Sequence, residues 1–383
     1  MHAVGIICEY NPFHNGHLYH LNKVKEMFPN QPIIVILGGN FLQRGEPSII
    51  NKWDKTKIAL HYGADLVIEL PYPFASQSAD LFAKGSIQLL NHLHVNDLVF
   101  GSESNKIDNL KMMADIQLNN PSYQKLVKEY ITKGVNYPTA LSKALGDITG
   151  KVIDTPNDIL GISYIREIMA LKSKINPHTI QRTNDYHSLE LDNDIVSATS
   201  IRNALKNKQV ITKYVPKETY QSLQSNLHFI DDYYPFLKYK ILSDLNNLIK
   251  YQTVDEGIEN RIKKYIIKSN SLDQLIMNIK TKRYTYNKIR RMLTHIMCNF
   301  TKEEASKMKE IEYIRVLGLS DLGQTYLKSI KKEISIPILT NYIKDNAMLD
   351  LELRVTSIYA SILKEQDKTK MIEGEYKNKP IRK

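Results

Sequence analysis

The 383-residue chain is predicted to fold as a doubly wound, parallel α/β domain followed by a mainly α-helical domain, on three observations. Short aliphatic runs, each closed by a turn or a polar residue, alternate with helix-period segments through the first 200 residues. From about Pro235 the strand pattern stops, and helical segments rich in Tyr, Leu, Ile and Lys take over. Charge divides in the same way: residues 1–200 carry 18 Lys+Arg against 20 Asp+Glu, a net of −2, whereas 201–383 carry 34 against 21, a net of +13.

Residues 3–10, 32–39, 65–70 and 97–101 read as buried strands, because a run of aliphatic residues without alternation suits a sheet covered on both faces. Between them, 17–27, 52–62 and 78–93 read as helices, the last with apolar Leu81, Phe82, Ile87, Leu89 and Leu90. Strand–helix–strand repetition at this spacing builds parallel βαβ units. A ligand on such a sheet sits beyond the carboxyl ends of the strands, so the loops after the strands are where chemistry belongs. Residues 105–175 read as helical, including 123–132 and 158–174, with Pro156 suited to a first helical turn. A short strand over 179–182 and a segment over 195–205 follow, then helices over 236–249, 284–298 and 351–363. The charged tail from Lys364 is expected to fray. The expected division is 1–205 for catalysis and 206–383 for a basic helical domain.

Two distant cysteines, Cys8 and Cys298, exclude a disulfide framework and a multi-cysteine zinc site, and imply a reducing, cytoplasmic setting. The opening apolar run has no basic flank and soon meets Glu9, unlike a signal peptide. No stretch approaches the roughly 18 uninterrupted apolar residues of a membrane span, so no membrane partner is expected. The basic second half suits a polyanion, a set of solvated lysine-rich helices being the alternative.

The chemistry concentrates at GIICEYNPFHNGH, residues 5–17. A buried strand runs into a turn at Asn11-Pro12, and His14 and His17 then flank Gly16 where the next helix begins. Three-residue spacing across a helix start can set both imidazoles on one side. The free N–H groups and positive dipole end there already favour an anion, and two imidazoles add donors for a triphosphate. Gly16 lets backbone approach the nucleotide. HxGH alone is four letters, and a pair of surface histidines is the competing reading; its place directly after the first strand favours function. At VSATSIR, residues 196–202, Ser197, Thr199 and Ser200 can cap a helix and donate hydroxyls while Arg202 faces phosphate oxygens.

Strand, turn, HxGH and helix resemble the superfamily of pantetheine-phosphate and nicotinate-mononucleotide adenylyltransferases and class I aminoacyl-tRNA synthetases, and SATSIR is similar to its ISSTxIR motif. No KMSKS-like loop is present, which weakens the synthetase reading. EYNPFHNGH, GGNFLQRGEP (38–47), GADLVIELP (63–71), FGSE (100–103), TPND (155–158), Arg182, KRYT (282–285) and Arg290-Arg291 together resemble the tRNA(Met) cytidine acetate ligase family over essentially the whole chain. The resemblance implies a Rossmann-like sheet of the HxGH nucleotidyltransferase type, and a ligase that makes acetyl-adenylate from acetate and ATP. It further implies transfer of the acetyl group to the wobble cytidine of elongator tRNA(Met), giving N(4)-acetylcytidine. Catalysis would fall to His14, His17 and Arg182. ATP would be held by Val4, Gly5, Ile6, Glu9, Tyr10 and Asn11, by Pro12, Phe13, Asn15 and Gly16, and by Gly101 and Asn157 with Ser197, Thr199, Ser200 and Arg202. Asn157 fits a plain helix cap equally well. The 38–47 loop, with Asn40, Gln43 and Arg44, is expected on the acceptor side, a plain surface loop being the competing reading.

KTKRYTYNKIRR, residues 280–291, interleaves six basic residues with two tyrosines, the composition that single-stranded or loop RNA recognition uses. Ile289, Leu293 and Ile296 would face a core and leave Lys288, Arg290 and Arg291 largely outside, so Lys282, Arg283, Arg290 and Arg291 are the RNA candidates. A solvated basic helix is the alternative. No His, Cys or Asp cluster has metal-ligand spacing, so the expected metal is Mg²⁺ arriving with ATP. The rival functions are a small-molecule adenylyltransferase acting on a phosphate-bearing acceptor and an RNA-binding protein with a degenerate nucleotide site; oligomeric state is not legible.

Overall fold

The computed structural model describes residues 1–182 and 196–383. Among these, β1 (Val4–Cys8), β2 (Ile33–Gly38), β3 (Leu66–Leu70), β4 (Asp97–Ser102), β5 (Asn176–Gln181), β6 (Ile314–Leu319), β7 (Ile338–Leu339) and β8 (Ile381–Arg382) form one sheet. The order is β5-β4-β1-β2-β3-β6-β7, with β8 paired to β6. β1 runs parallel to β2, with Val4 opposite Ile33, and to β4, with Val4 opposite Asp97. The chain thus winds one way through β2 and β3 and the other way through β4 and β5. The switch point lies at the carboxyl ends of β1 and β4, where an open α/β sheet leaves a crevice.

Both faces are covered, as the mainly aliphatic inner strands require. Ile34, Ile36, Ile68 and Leu98 pack with Phe82, Ile87 and Leu90 of the helix Ala79–His92, whereas Ile6, Val35, Leu37 and Val67 pack with Leu21 and Val24 of the helix Asn15–Met27. The helices expected over 123–132, 158–174, 284–298 and 351–363 appear as Pro121–Thr132, Pro156–Ala170, Tyr286–Met297 and Ala347–Tyr359. The strand expected over 179–182 is β5, and the segment expected over 195–205 overlaps the helix Ala198–Lys206, Ile195 lying outside the described residues. The helix expected over 236–249 divides into Tyr234–Ser243 and a 3₁₀ segment, Leu245–Lys250.

Two expectations are corrected. Strands do not end near residue 235: β6 joins the main sheet antiparallel to β3, with Ile68 opposite Val316. Nor does the tail fray: Glu365–Lys377 is a helix that buries Glu375, and β8 follows. Both are held by a buried charge quartet. Lys52 Nζ lies 2.6 Å from Glu69 Oε1 and 2.9 Å from Glu375 Oε1, and Arg315 Nη1 lies 2.6 Å from Glu375 Oε2 and 3.3 Å from Glu69 Oε2. Two cations and two anions, all 0–1% exposed, balance each other where water cannot. Among the described residues no helix is long and apolar enough to cross a membrane.

Candidate active site

A cavity of about 620 Å³ opens at the switch point. Its walls are the end of β1 through Asn11, His14 and His17, the end of β4 at Phe100 and Gly101, Asn157, Arg182, and the start of the Ala198–Lys206 helix. Gln43, Arg44 and Glu46 of the 38–47 loop close another side, together with Thr285, Asn287 and Arg291 from the second half of the chain.

The two motif histidines are buried or half-buried in the cavity wall at the start of the Asn15–Met27 helix. His14 is the N-cap of the Asn15–Met27 helix, its Nδ1 accepting from Gly16 N–H at 3.0 Å. His17 Nδ1 accepts from His14 N–H at 3.2 Å, so the two rings form a reciprocal capping box with centroids 3.9 Å apart. An Nδ1 that accepts carries no proton. Each neutral ring therefore bears its proton on Nε2. Burial, with Arg182 and Arg202 nearby, pushes His14 down to about 3, and burial with His14 and Arg182 pushes His17 well below the ordinary range. A pair held this low offers the cavity hydrogen-bond donors and not a charge.

Arg182 follows β5 and enters the same space; among the described residues its buried Nε has no hydrogen-bond partner. Burial draws its pKa down, with Glu103 opposing. Gly101 sits beside it: a Cβ there would meet Arg182 Cγ at 3.2 Å. Ser197 caps the Ala198–Lys206 helix, accepting from Ser200 N–H at 3.1 Å. Ser197 and Thr199 line the cavity, while Ser200 is 2% exposed beneath them. Arg202 does not point freely at the cavity as expected. Its Nη1 donates to Asn11 O at 2.8 Å and its Nη2 lies 2.8 Å from Glu46 Oε1. Asn157 is not the N-cap of its helix, a position held by Thr155; its side chain donates to Glu103, which also accepts from Asp158 N–H at 3.0 Å.

Other candidates lie behind the wall. Ile6, Glu9, Tyr10, Asn11 and Gly16 line the cavity, but Val4 belongs to the core and Gly5 packs against Leu90, 2.7 Å from where a Cβ would stand. Phe13 stacks on Tyr62 at 5.3 Å and supports Tyr10 edge-on at 4.8 Å; Pro12 is buried beside it, and Asn15 donates to Lys213 O at 2.9 Å.

The basic helix is also placed differently. Lys282 and Arg283 are exposed, but Arg290 and Arg291 turn inward. Arg290 Nη2 pairs with Glu46 Oε2 at 2.9 Å, and Arg291 Nη1 donates to Gln43 O at 3.2 Å. The reason is the docking of the 38–47 loop on this helix: Gly45, at φ +68°, comes so close that a Cβ would lie 2.3 Å from Arg291 N, and Thr294 Oγ1 donates to Gly45 O at 3.0 Å. Two further residues escaped sequence reasoning. His20, one turn after His17, lines the cavity, its buried Nε2 unpartnered among the described residues; its spacing was the available signal. Lys55 is fully buried and donates to Glu9 O, Gly38 O and Gly39 O at 3.0, 2.7 and 2.9 Å, tying the ends of β1 and β2 together. Three carbonyl acceptors use all three ammonium hydrogens, although burial pulls its pKa down to about 7 against the pull of Glu9.

A family model described as HIGH Nucleotidyl Transferase matches residues 1–374. The chain is 39% identical to the tRNA(Met) cytidine acetate ligase of Anoxybacillus flavithermus, covering 100% of both chains, and 41% identical to that of Clostridium novyi, covering 100% of this chain and 99% of the relative. It superposes on crystal structures of Thermotoga maritima TmcAL at 31% identity, covering 100% of this chain and 99% of the other. The TM-score is 0.92 for an apo form and 0.88 for a form bound with alpha-thio ATP.

Proposed function

The chain belongs to the tRNA(Met) cytidine acetate ligase family of HIGH nucleotidyltransferases, and on that premise we propose that it acetylates the wobble cytidine of elongator tRNA(Met) at the expense of ATP. The observation that carries the reading is the convergence of two Nε2–H imidazoles, the unpartnered Arg182 Nε and the Ser197-capped helix start on one cavity. These are donors for a triphosphate, preorganised where charge develops as the α-phosphorus is attacked.

In the first step an acetate oxygen attacks the α-phosphorus; the bond to the bridging oxygen breaks, and pyrophosphate leaves with the electron pair. In the second, the cytidine N4 amine attacks the acetyl carbon, AMP departs, and one N4 proton passes to solvent. No covalent intermediate on the protein is required. His14 and His17 would hold the phosphates through hydrogen bonds, and Arg182 would neutralise part of their charge. Mg²⁺ would come with ATP, its ligands phosphate oxygens and water; among the described residues no group of three or more His, Cys, Asp or Glu side chains is placed to hold a metal. A cytoplasmic location follows from a tRNA substrate.

Pyrophosphate exchange into ATP is the direct test, and it should depend on acetate. Exchange with nicotinate mononucleotide or phosphopantetheine, and none with acetate, would establish the rival adenylyltransferase instead.

We keep the division at 205/206 as one of labour, chemistry in 1–205 and RNA holding in 206–383. The RNA residues reduce to exposed Lys282 and Arg283, since Arg290 and Arg291 face inward. Charge reversal at Lys282 and Arg283 should weaken tRNA binding and flatten its log–log salt dependence by about 1.4–1.8 units, at about 0.7–0.9 per phosphate contact. Acetate-dependent exchange should be unchanged. An unaltered salt slope would reduce the pair to a solvated face.

A further inference from the structure

The cavity-lining arginines are not alike in how their charge is met. Arg202 pairs with Glu46; Arg44 lies in the field of Glu9 and Glu46; Arg182 lies in that of Glu103. Arg291 has none of this. Among the described residues no carboxylate pairs with it, and its hydrogen bond within the wall, to Gln43 O at 3.2 Å, is to a neutral carbonyl. Burial alone pushes it down to about 10, with no acid close enough to oppose. A half-buried guanidinium on a cavity wall with no carboxylate partner is a place where an arriving anion is favoured.

Its position narrows the anion. Gln43 N–H donates to Glu9 Oε1 at 2.6 Å, so the chain Glu9–Gln43–Arg291 fixes the guanidinium beside the end of β1, on the wall formed by the 38–47 loop. The phosphate donors His14, His17 and Ser197 belong to the helix starts of the other walls. From these placements we infer that Arg291 is the binding site for the carboxylate of acetate, a contribution of the second half of the chain to the first chemical step. A planar guanidinium fork matches the two oxygens of a carboxylate. Acetate is small enough to enter the cavity wall, whereas a phosphate of an RNA backbone would have to be drawn in with its chain. The inference rests on the ligase reading above.

The test is acetate-dependent pyrophosphate exchange without RNA, on wild type, Arg291→Met and Arg291→Lys. Arg291→Met should raise KM for acetate about 10- to 150-fold, the loss expected for a charge-assisted hydrogen bond, and leave KM for ATP within about twofold of wild type. Arg291→Lys, which keeps the charge and loses the fork, should fall between. On the wild-type protein, acetate should protect residue 291 from phenylglyoxal, read by peptide mass spectrometry, which covers the case of a variant that does not fold. An unchanged acetate KM with weaker tRNA binding would assign the site to an RNA phosphate, and an equal rise in both KM values would make Arg291 a wall residue; either overturns the proposal, as does modification at 291 that acetate does not slow. Wild type that exchanges nothing with acetate would instead sink the ligase reading.

Discussion

His14→Asn and His17→Asn are each expected to lower acetate-dependent adenylate formation by about two to three orders of magnitude, the usual loss of a preorganised charge-stabilising donor. Asparagine is the informative replacement. Its Oδ1 stands near where Nδ1 stood and can still accept the backbone N–H that each ring now accepts, at 3.0 Å from Gly16 and 3.2 Å from His14. The helix cap survives, and only the Nε2–H is deleted. Alanine would remove both, adding a stability cost of about 0.5–2 kcal/mol for the lost cap and confusing the result. Thermal melts of the Asn variants should therefore stay close to wild type while single-turnover adenylate formation collapses. The pH profile supplies a second readout. Because burial already holds His14 at about 3, kcat/KM for ATP should show no acid limb near pH 6.5 from this residue. An acid limb near 6.5 that disappears in His14→Asn would mean that the imidazolium, not the neutral ring, does the work.

Arg315→Met is expected to destabilise the fold by about 3–5 kcal/mol, the cost of removing one partner from a buried ion pair. The loss leaves Glu69 and Glu375, both 1% exposed, facing each other across a single ammonium from Lys52. Burial raises the Glu375 carboxyl, but Lys52 and Arg315 outweigh it and hold the group below its ordinary value. A depressed carboxylate contributes stability that is present above its unfolded pKa and lost as pH falls through its folded pKa. Without Arg315 that contribution is gone and a carboxyl is free to take up a proton. The deficit against wild type should thus be larger at pH 8 than at pH 5 in urea melts. The double variant Arg315→Met with Glu375→Gln restores a one-to-one balance between Lys52 and Glu69 and should recover part of the loss. A deficit under about 1 kcal/mol at pH 8 would mean the quartet is solvated and does not hold β6 and the Glu365–Lys377 helix to the sheet.

The reach of sequence reasoning differs between elements for a physical reason. The strands of the first half announced themselves because a strand covered on both faces is mostly aliphatic, and β1, β2 and β3 are, with Gly5, Cys8, Gly38 and Glu69 the exceptions. The HxGH helix start was legible because capping is local, acting over three residues. β6 was not legible: Ile-Arg-Val-Leu-Gly-Leu carries a charge and a glycine within six residues, and only the distant partners of Arg315 permit that charge inside a sheet. His20 carried its signal in plain spacing, three residues beyond His17, but a histidine on a helix is uninformative until its Nε2 is seen buried and unpartnered.

By itself the sequence determined the α/β class, the strand that ends in HxGH, the helix start at Ser197 and the family to which the chain belongs, since each depends on residues close together in the chain. Tertiary structure alone decided which charges meet. Arg290 and Arg291 looked outward by helical period, and they face inward because the 38–47 loop, some 245 residues earlier, docks on their helix through Gly45 and supplies Glu46 and the Gln43 carbonyl. Helical period places a side chain relative to its own helix; which surface of that helix becomes buried depends on what the rest of the chain brings against it.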